Sequence, residues 1–177
     1  MVVGSQAALA QFPEGLPRSA TLSREADVLA FDDPDDSKAM RINGAIGEDT
    51  LFDETFGYYA EGIGRDLLVL PSDWEARAVM LTAVGVTNVT AVIPEIHDLA
   101  VAKLAAGRDK DFAWARTLIQ SGHLRPEVLL ERAANTRLEP HQRQFIVAAE
   151  VPSRTTPRFG RTVHRRHDEL ALVWLEP

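Results

Sequence analysis

Ser23-Arg24-Glu25-Ala26-Asp27-Val28-Leu29-Ala30-Phe31 sets two carboxylates two residues apart at the head of an apolar run, about twenty residues after Gly4-Ser5. Read as a strand, the stretch has a period of two, which puts Glu25 and Asp27 on one face and Ala26 and Val28 on the other. Neighbouring acids repel, and a hard divalent cation that takes oxygen ligands, Mg2+ or Mn2+, relieves the repulsion. Gly4-Ser5 enters a helix-favouring run, Gln6 to Ala10, so its free amides and the helix dipole suit a phosphate. Each feature also has a plain structural reading, a surface strand with alternating acids and a simple helix N-cap.

Working outward, Met1 to Val3 reads as the end of a strand. Three residues are short for a core element, so a helix upstream of Met1 is expected. Phe12 to Pro17 is a loop, Leu22 to Phe31 the acidic strand, and Asp32 to Asp36 a turn that caps a helix from Ser37 to Ile46. Phe56 to Ala60, Leu67 to Leu70 and Val86 to Ile93 read as strands, with a mixed signal from Trp74 to Val84. From Pro94 the pattern is helical: Glu95 to Ala106, Asp109 to Gln120, Pro126 to Ala134 and Pro140 to Ala149. Strands mixed with helices and then helices alone predict an α+β chain, with a core at 1–93 and a helical part at 94–150. Residues 151–177 form a basic arm and a terminal apolar segment, Leu170 to Leu175, that could add an edge strand.

The bulk composition permits such a site. The 177 residues are 45% hydrophobic and 25% charged, with a net charge of −7. These values fit a globular domain and argue against a nonspecific nucleic-acid coat. The absence of cysteine excludes disulfides, thiolate zinc sites and cysteine nucleophiles. No basic start leads into an apolar stretch, and no run reaches the roughly eighteen apolar residues of a membrane span. A cytoplasmic protein without membrane contact is expected. Glu25 to Glu75 holds fourteen acids against Lys38, Arg41 and Arg65, whereas Ser153 to His167 holds five arginines and no acid. Two solvated surfaces would look the same as an acidic metal site with a phosphate-touching tail.

Lys103-Leu104-Ala105-Ala106-Gly107-Arg108-Asp109-Lys110-Asp111 gathers cations at the corner between two expected helices. Dipole complementarity alone would place some of them there. If the acidic strand faces this corner, Lys103, Arg108 and Lys110 can neutralise a triphosphate while Asp111 orients one of them. His164 and His167 could bind a metal, but histidines in an arginine-rich arm are more often solvated. Trp74 and Trp114 read as core, and Tyr58 and Tyr59 as strand packing or base-stacking groups.

Taken in order, Gly4-Ser5, the acid-x-acid strand, Gly57 to Gly62 (Gly-Tyr-Tyr-Ala-Glu-Gly), Leu70 to Arg77 (Leu-Pro-x-x-Trp-x-x-Arg), Asp98 to Lys103 and the lysine motif resemble a known pattern. It is that of minimal nucleotidyltransferases of the DNA polymerase β superfamily, in a bacterial group related to abortive-infection nucleotidyltransferase toxins. The resemblance spans roughly residues 2 to 125. It implies a small mixed β-sheet core flanked by helices and in-line attack of an acceptor hydroxyl on the α-phosphate of a nucleoside triphosphate. It implies Gly4 and Ser5 as the phosphate turn, Glu25 and Asp27 as Mg2+ or Mn2+ ligands, and Lys103 facing the phosphates or substrate. Glu61, or else Asp66, would be the third carboxylate and general base. The related toxins point to an RNA or tRNA acceptor and an antitoxin partner. A noncatalytic member of the fold serving as a binding or regulatory partner stays open as the alternative.

Overall fold

The computed structural model describes residues 1–82 and 90–150. Among these the chain is α+β, with two small sheets and seven helices: β1 (Val2–Val3), α1 (Gly4–Gln11), β2 (Glu25–Val28), α2 (Ser37–Ile46), α3 (Leu51–Phe56), β3 (Tyr59–Gly62), β4 (Val79–Leu81), β5 (Ala91–Ile93), α4 (Ile96–Ala105), α5 (Asp109–Gln120), α6 (Pro126–Ala134) and α7 (Pro140–Glu150). The first sheet has the order β1-β2-β3 and is mixed, antiparallel between β1 and β2 and parallel between β2 and β3. β4 and β5 form an antiparallel pair, with β5 lying beside β1.

α4 is the centre of the helical part. Every residue from Ile96 to Ala105 except Ala102 is buried, as expected of a helix that other elements surround on all sides. α1, α5, α6 and α7 pack on it. One apolar core runs from Val3, Ala7 and Ala8 through Leu99, Leu104, Trp114 and Leu118 to Leu129, Ile146 and Ala149. Small residues at Ala7 and Ala8, both fully buried, let α1 approach α4 and β2 closely. The Gln6 side chain donates to the Ser23 carbonyl and ties α1 to the residues that lead into β2.

Several elements differ from the sequence reading, each for a local reason. α3 stands where an aromatic run suggested the start of a strand. The Thr50 hydroxyl caps it by accepting from Asp53 N at 3.4 Å, and Gly57, at φ 73°, ends it in the left-handed conformation. The strand therefore begins only at Tyr59. Leu67 closes a 3-10 turn, Arg65–Leu67, and Leu68 to Leu70 pair with no strand among the described residues, in place of the strand expected there. The mixed stretch after Trp74 resolves into a 3-10 turn, Trp74–Arg77, followed by β4. Of the expected strand Val86 to Ile93, residues 91–93 form β5 and 86–89 lie outside the described residues. The arm, its histidines and the terminal apolar segment also lie outside them. No helix of the described residues is long and apolar enough to cross a membrane.

Candidate active site

β2 and β3 pair in parallel with Glu25 opposite Tyr59 and Asp27 opposite Glu61. Strand alternation then sends Glu25, Asp27, Tyr59 and Glu61 to one face. Carboxylate oxygens of Glu25, Asp27 and Glu61 all lie within 4.8 Å of one another, Glu25 and Asp27 half-buried and Glu61 exposed. Asp66 lies elsewhere, exposed in the 3-10 turn of residues 65–67, and lines a separate acidic cleft with Phe31, Asp32, Asp33 and Asp36.

The crowding of negative charge changes proton affinity. A hydrogen bond that protonated Glu61 donates to Glu25, some burial, and the charges of Glu25, Asp27 and Glu48 push Glu61 up to about 7. Burial and the Glu25 charge also raise Asp27, against the opposing pull of Lys103, Arg108 and Lys110. Burial and then Glu25, Glu48 and Glu61 raise the Tyr59 phenol. Three hard oxygen donors crowded within reach of one another make a donor set suited to a divalent cation.

The end of β1 supplies the second part of the site. Val3 pairs with Asp27, so the chain enters α1 beside the carboxylates. Gly4 has φ 75°, and a Cβ there would fall inside the Asp27 carboxylate. Only glycine combines that backbone with that approach. Among the described residues, no side chain caps α1. The first-turn amides at Gly4 and Ser5 are thus free of a side-chain partner at the positive end of the helix dipole.

The α4–α5 corner supplies the third part. Asp111, buried in the first turn of α5, accepts from both cations: Lys103 Nζ lies 2.9 Å from Oδ1 and Arg108 Nε 2.6 Å from Oδ2. The Lys103 ammonium also stands 5.2 Å from the centre of the Trp114 ring. Lys103 is held almost fully buried, whereas Arg108 and Lys110 are exposed. All three cations act on Asp27, so the corner faces the acidic strand.

The remaining motifs support these parts. In the Gly57 to Gly62 stretch, Gly57 ends α3, and a Cβ at Gly62 would collide with the Ala39 backbone of α2. Asn43 completes that contact, its side-chain amide donating to the Gly62 carbonyl at 3.2 Å and its carbonyl accepting from Gly62 N at 2.6 Å. α2 is in turn capped by Asp33, which accepts from Lys38 N at 2.8 Å and Ala39 N at 2.9 Å. Arg77 of the Leu70 to Arg77 stretch forms a two-point pair with fully buried Asp98, both bonds 3.0 Å. Arg132 Nε adds a contact at 3.4 Å to the same carboxylate. Next to it, His97 Nδ1 lies 2.7 Å from Glu95 and its Nε2 accepts from Arg125 N at 3.0 Å. Sequence reasoning assigned no role to Arg77, Asp98, His97, Asn43 or Glu48. The signal for one of them was present, since an aspartate inside the apolar run of α4 requires a buried partner.

Residues 1–146 match the family model described as nucleotidyltransferase of unknown function (DUF6036). The chain belongs to this family. The match takes in every part of the site, from Gly4 to Asp111, together with the helices that support it. Comparisons with curated proteins and with solved structures found no match. Membership in this nucleotidyltransferase family points to nucleotidyl transfer with a nucleoside triphosphate as substrate.

Proposed function

We propose that the protein transfers a nucleotide from a nucleoside triphosphate to an acceptor hydroxyl, with Glu25, Asp27 and Glu61 holding Mg2+ or Mn2+. The observation that carries this reading is the convergence of three carboxylates from two strands opposite a cationic corner. Gly4 and Ser5 present the α1 N-terminus to phosphate oxygens, and Lys103, Arg108 and Lys110 neutralise the β- and γ-phosphates. Asp111 fixes Lys103 and Arg108 before substrate arrives, so little reorganisation is needed in the transition state. Glu61, the exposed carboxylate of the three, is the candidate to accept the proton of the attacking hydroxyl. When bound, the divalent ion supplies charge neutralisation at the attacked phosphate.

The acceptor is the open half of the reaction. The RNA or tRNA and the antitoxin that the resemblance implies belong to this proposal as candidate partners. A thermal-shift titration with each nucleoside triphosphate, with and without Mg2+ or Mn2+, tests the nucleotide half. Metal-dependent stabilisation that Asp27→Asn abolishes supports it, and no shift with any nucleotide favours the noncatalytic alternative.

A further inference from the structure

α3 turns apolar side chains outward. Leu51 is 78% exposed, Phe56 58% and Tyr58 54%, and the half-buried Phe52 ring joins the two aromatics. Ring centres lie 4.7 Å apart for Phe52 and Phe56, 5.3 Å for Phe52 and Tyr58 and 6.2 Å for Phe56 and Tyr58. None of the four residues packs in the apolar core. A helix of six residues has little stability of its own, yet this one is fixed at both ends. Arg24 reaches from the head of β2 to pair with Asp53 and donates to the Gly57 carbonyl at 2.8 Å. Asp53 also accepts from Asp49 N at 3.4 Å. An exposed apolar surface of this kind marks a docking site, and one already held in place loses little freedom on binding.

Charge around the rings selects the occupant. From Gly47 to Gly62 the chain has five acids and no lysine or arginine. Asp53 is buried and taken by Arg24. Glu48, Asp49 and Glu54 are exposed, and no ion pair among the described residues holds them. The cations of neighbouring α2, Lys38 and Arg41, sit in its first half, whereas the turn to α3 follows its last residue. A nucleic-acid backbone brought to this surface meets like charge. So does a second copy of the chain, because a twofold contact sets the same patch against itself. A segment with apolar anchors among lysines or arginines matches both the rings and the carboxylates.

We infer that the α3–β3 corner docks a basic, amphipathic segment of a partner protein. Tyr59, next to Tyr58, pairs with Glu25, so the partner sits beside the three carboxylates without using them. The inference stands whether or not the site handles a nucleotide. The test uses the full chain and labelled synthetic helical peptides: one with leucine and lysine at amphipathic spacing, one with its leucines replaced by serine, and one with its lysines replaced by glutamate. The leucine and lysine peptide should bind about tenfold tighter than either control. On its addition, hydrogen exchange in the wild-type chain should slow at residues 47–59. Phe56→Ser and Tyr58→Ser should each weaken binding by about tenfold, Glu54→Gln by less, and all three should keep the wild-type thermal shift with nucleotide. Equal binding of the serine control means that charge alone attracts the peptide, and it overturns the inference. So does protection confined to the acidic cleft of Phe31 and Asp66. Protection of 47–59 by single-stranded RNA, or a dimer of the free chain that Phe56→Ser dissolves, gives the surface to another occupant and overturns it as well. The exchange map needs wild type alone, so it decides the matter even where a variant does not fold.

Discussion

Gly4 shows how one residue can serve backbone and chemistry at once. Its left-handed φ turns β1 into α1, and its missing side chain makes room for the Asp27 carboxylate. Gly4→Ala should destabilise the fold by about 1–3 kcal/mol through backbone strain and displaced carboxylate. A denaturant midpoint measures that cost, and the same variant should lose metal-dependent nucleotide stabilisation. Glu61 has a pH signature. Its folded pKa lies above its ordinary value of 4.5, at about 7, so the folded state binds the extra proton. The metal-free protein should hold this contribution in full below about pH 4.5 and lose it as pH rises through 7. Stabilisation by Mg2+ should run the other way, growing as Glu61 deprotonates. In Glu61→Gln both trends should flatten, which melting temperatures across pH 5 to 8, with and without Mg2+, would reveal. Glu25 and Asp27 were legible as a pair because both belong to one strand. The choice of Glu61 over Asp66 depends on the register between β2 and β3, which their separation in sequence does not specify.

At the scale of elements, the best-read pieces carry their own boundary signals. Ser37 to Ile46 follows an acidic turn whose Asp33 caps it, and Pro126 to Ala134 opens on a proline in its first turn. α3 was missed because Phe-Asp-Glu-Thr-Phe-Gly-Tyr-Tyr mixes aromatic strand formers with a helix held mainly by its Thr50 and Gly57 ends. Leu67 to Leu70 has strand composition but no partner strand among the described residues, a tertiary fact that propensity cannot supply. The Arg77–Asp98 pair joins two motifs that look unrelated in sequence, one before β4 and one in α4. Arg77→Met leaves a fully buried carboxylate with only the 3.4 Å contact to Arg132. It should cost about 3–5 kcal/mol, read as a fall in the denaturant midpoint. A double variant that also carries Asp98→Leu should recover part of the loss, since no unpaired charge then remains buried.

Among the described residues, the arrangement at the scale of the molecule is a polar axis, with a cationic corner on the helical side and three carboxylates on the sheet. The acid-rich stretch from Glu25 to Glu75 and the cation-rich corner at 103–110 were both visible as composition. Their convergence comes with the packing of α1 against both β2 and α4, which no single motif announces. The central claim is that this convergence binds a metal-dependent nucleotide, and the most direct measurement is a thermal-shift titration of wild type and Asp27→Asn with nucleoside triphosphates and Mg2+ or Mn2+. The account predicts a rise in melting temperature with at least one nucleotide, present only with metal and abolished in Asp27→Asn, whose ligand-free melting temperature stays close to wild type. A wild type that gains no stability from any nucleotide with metal, or an Asp27→Asn variant that gains as much as wild type, would contradict it.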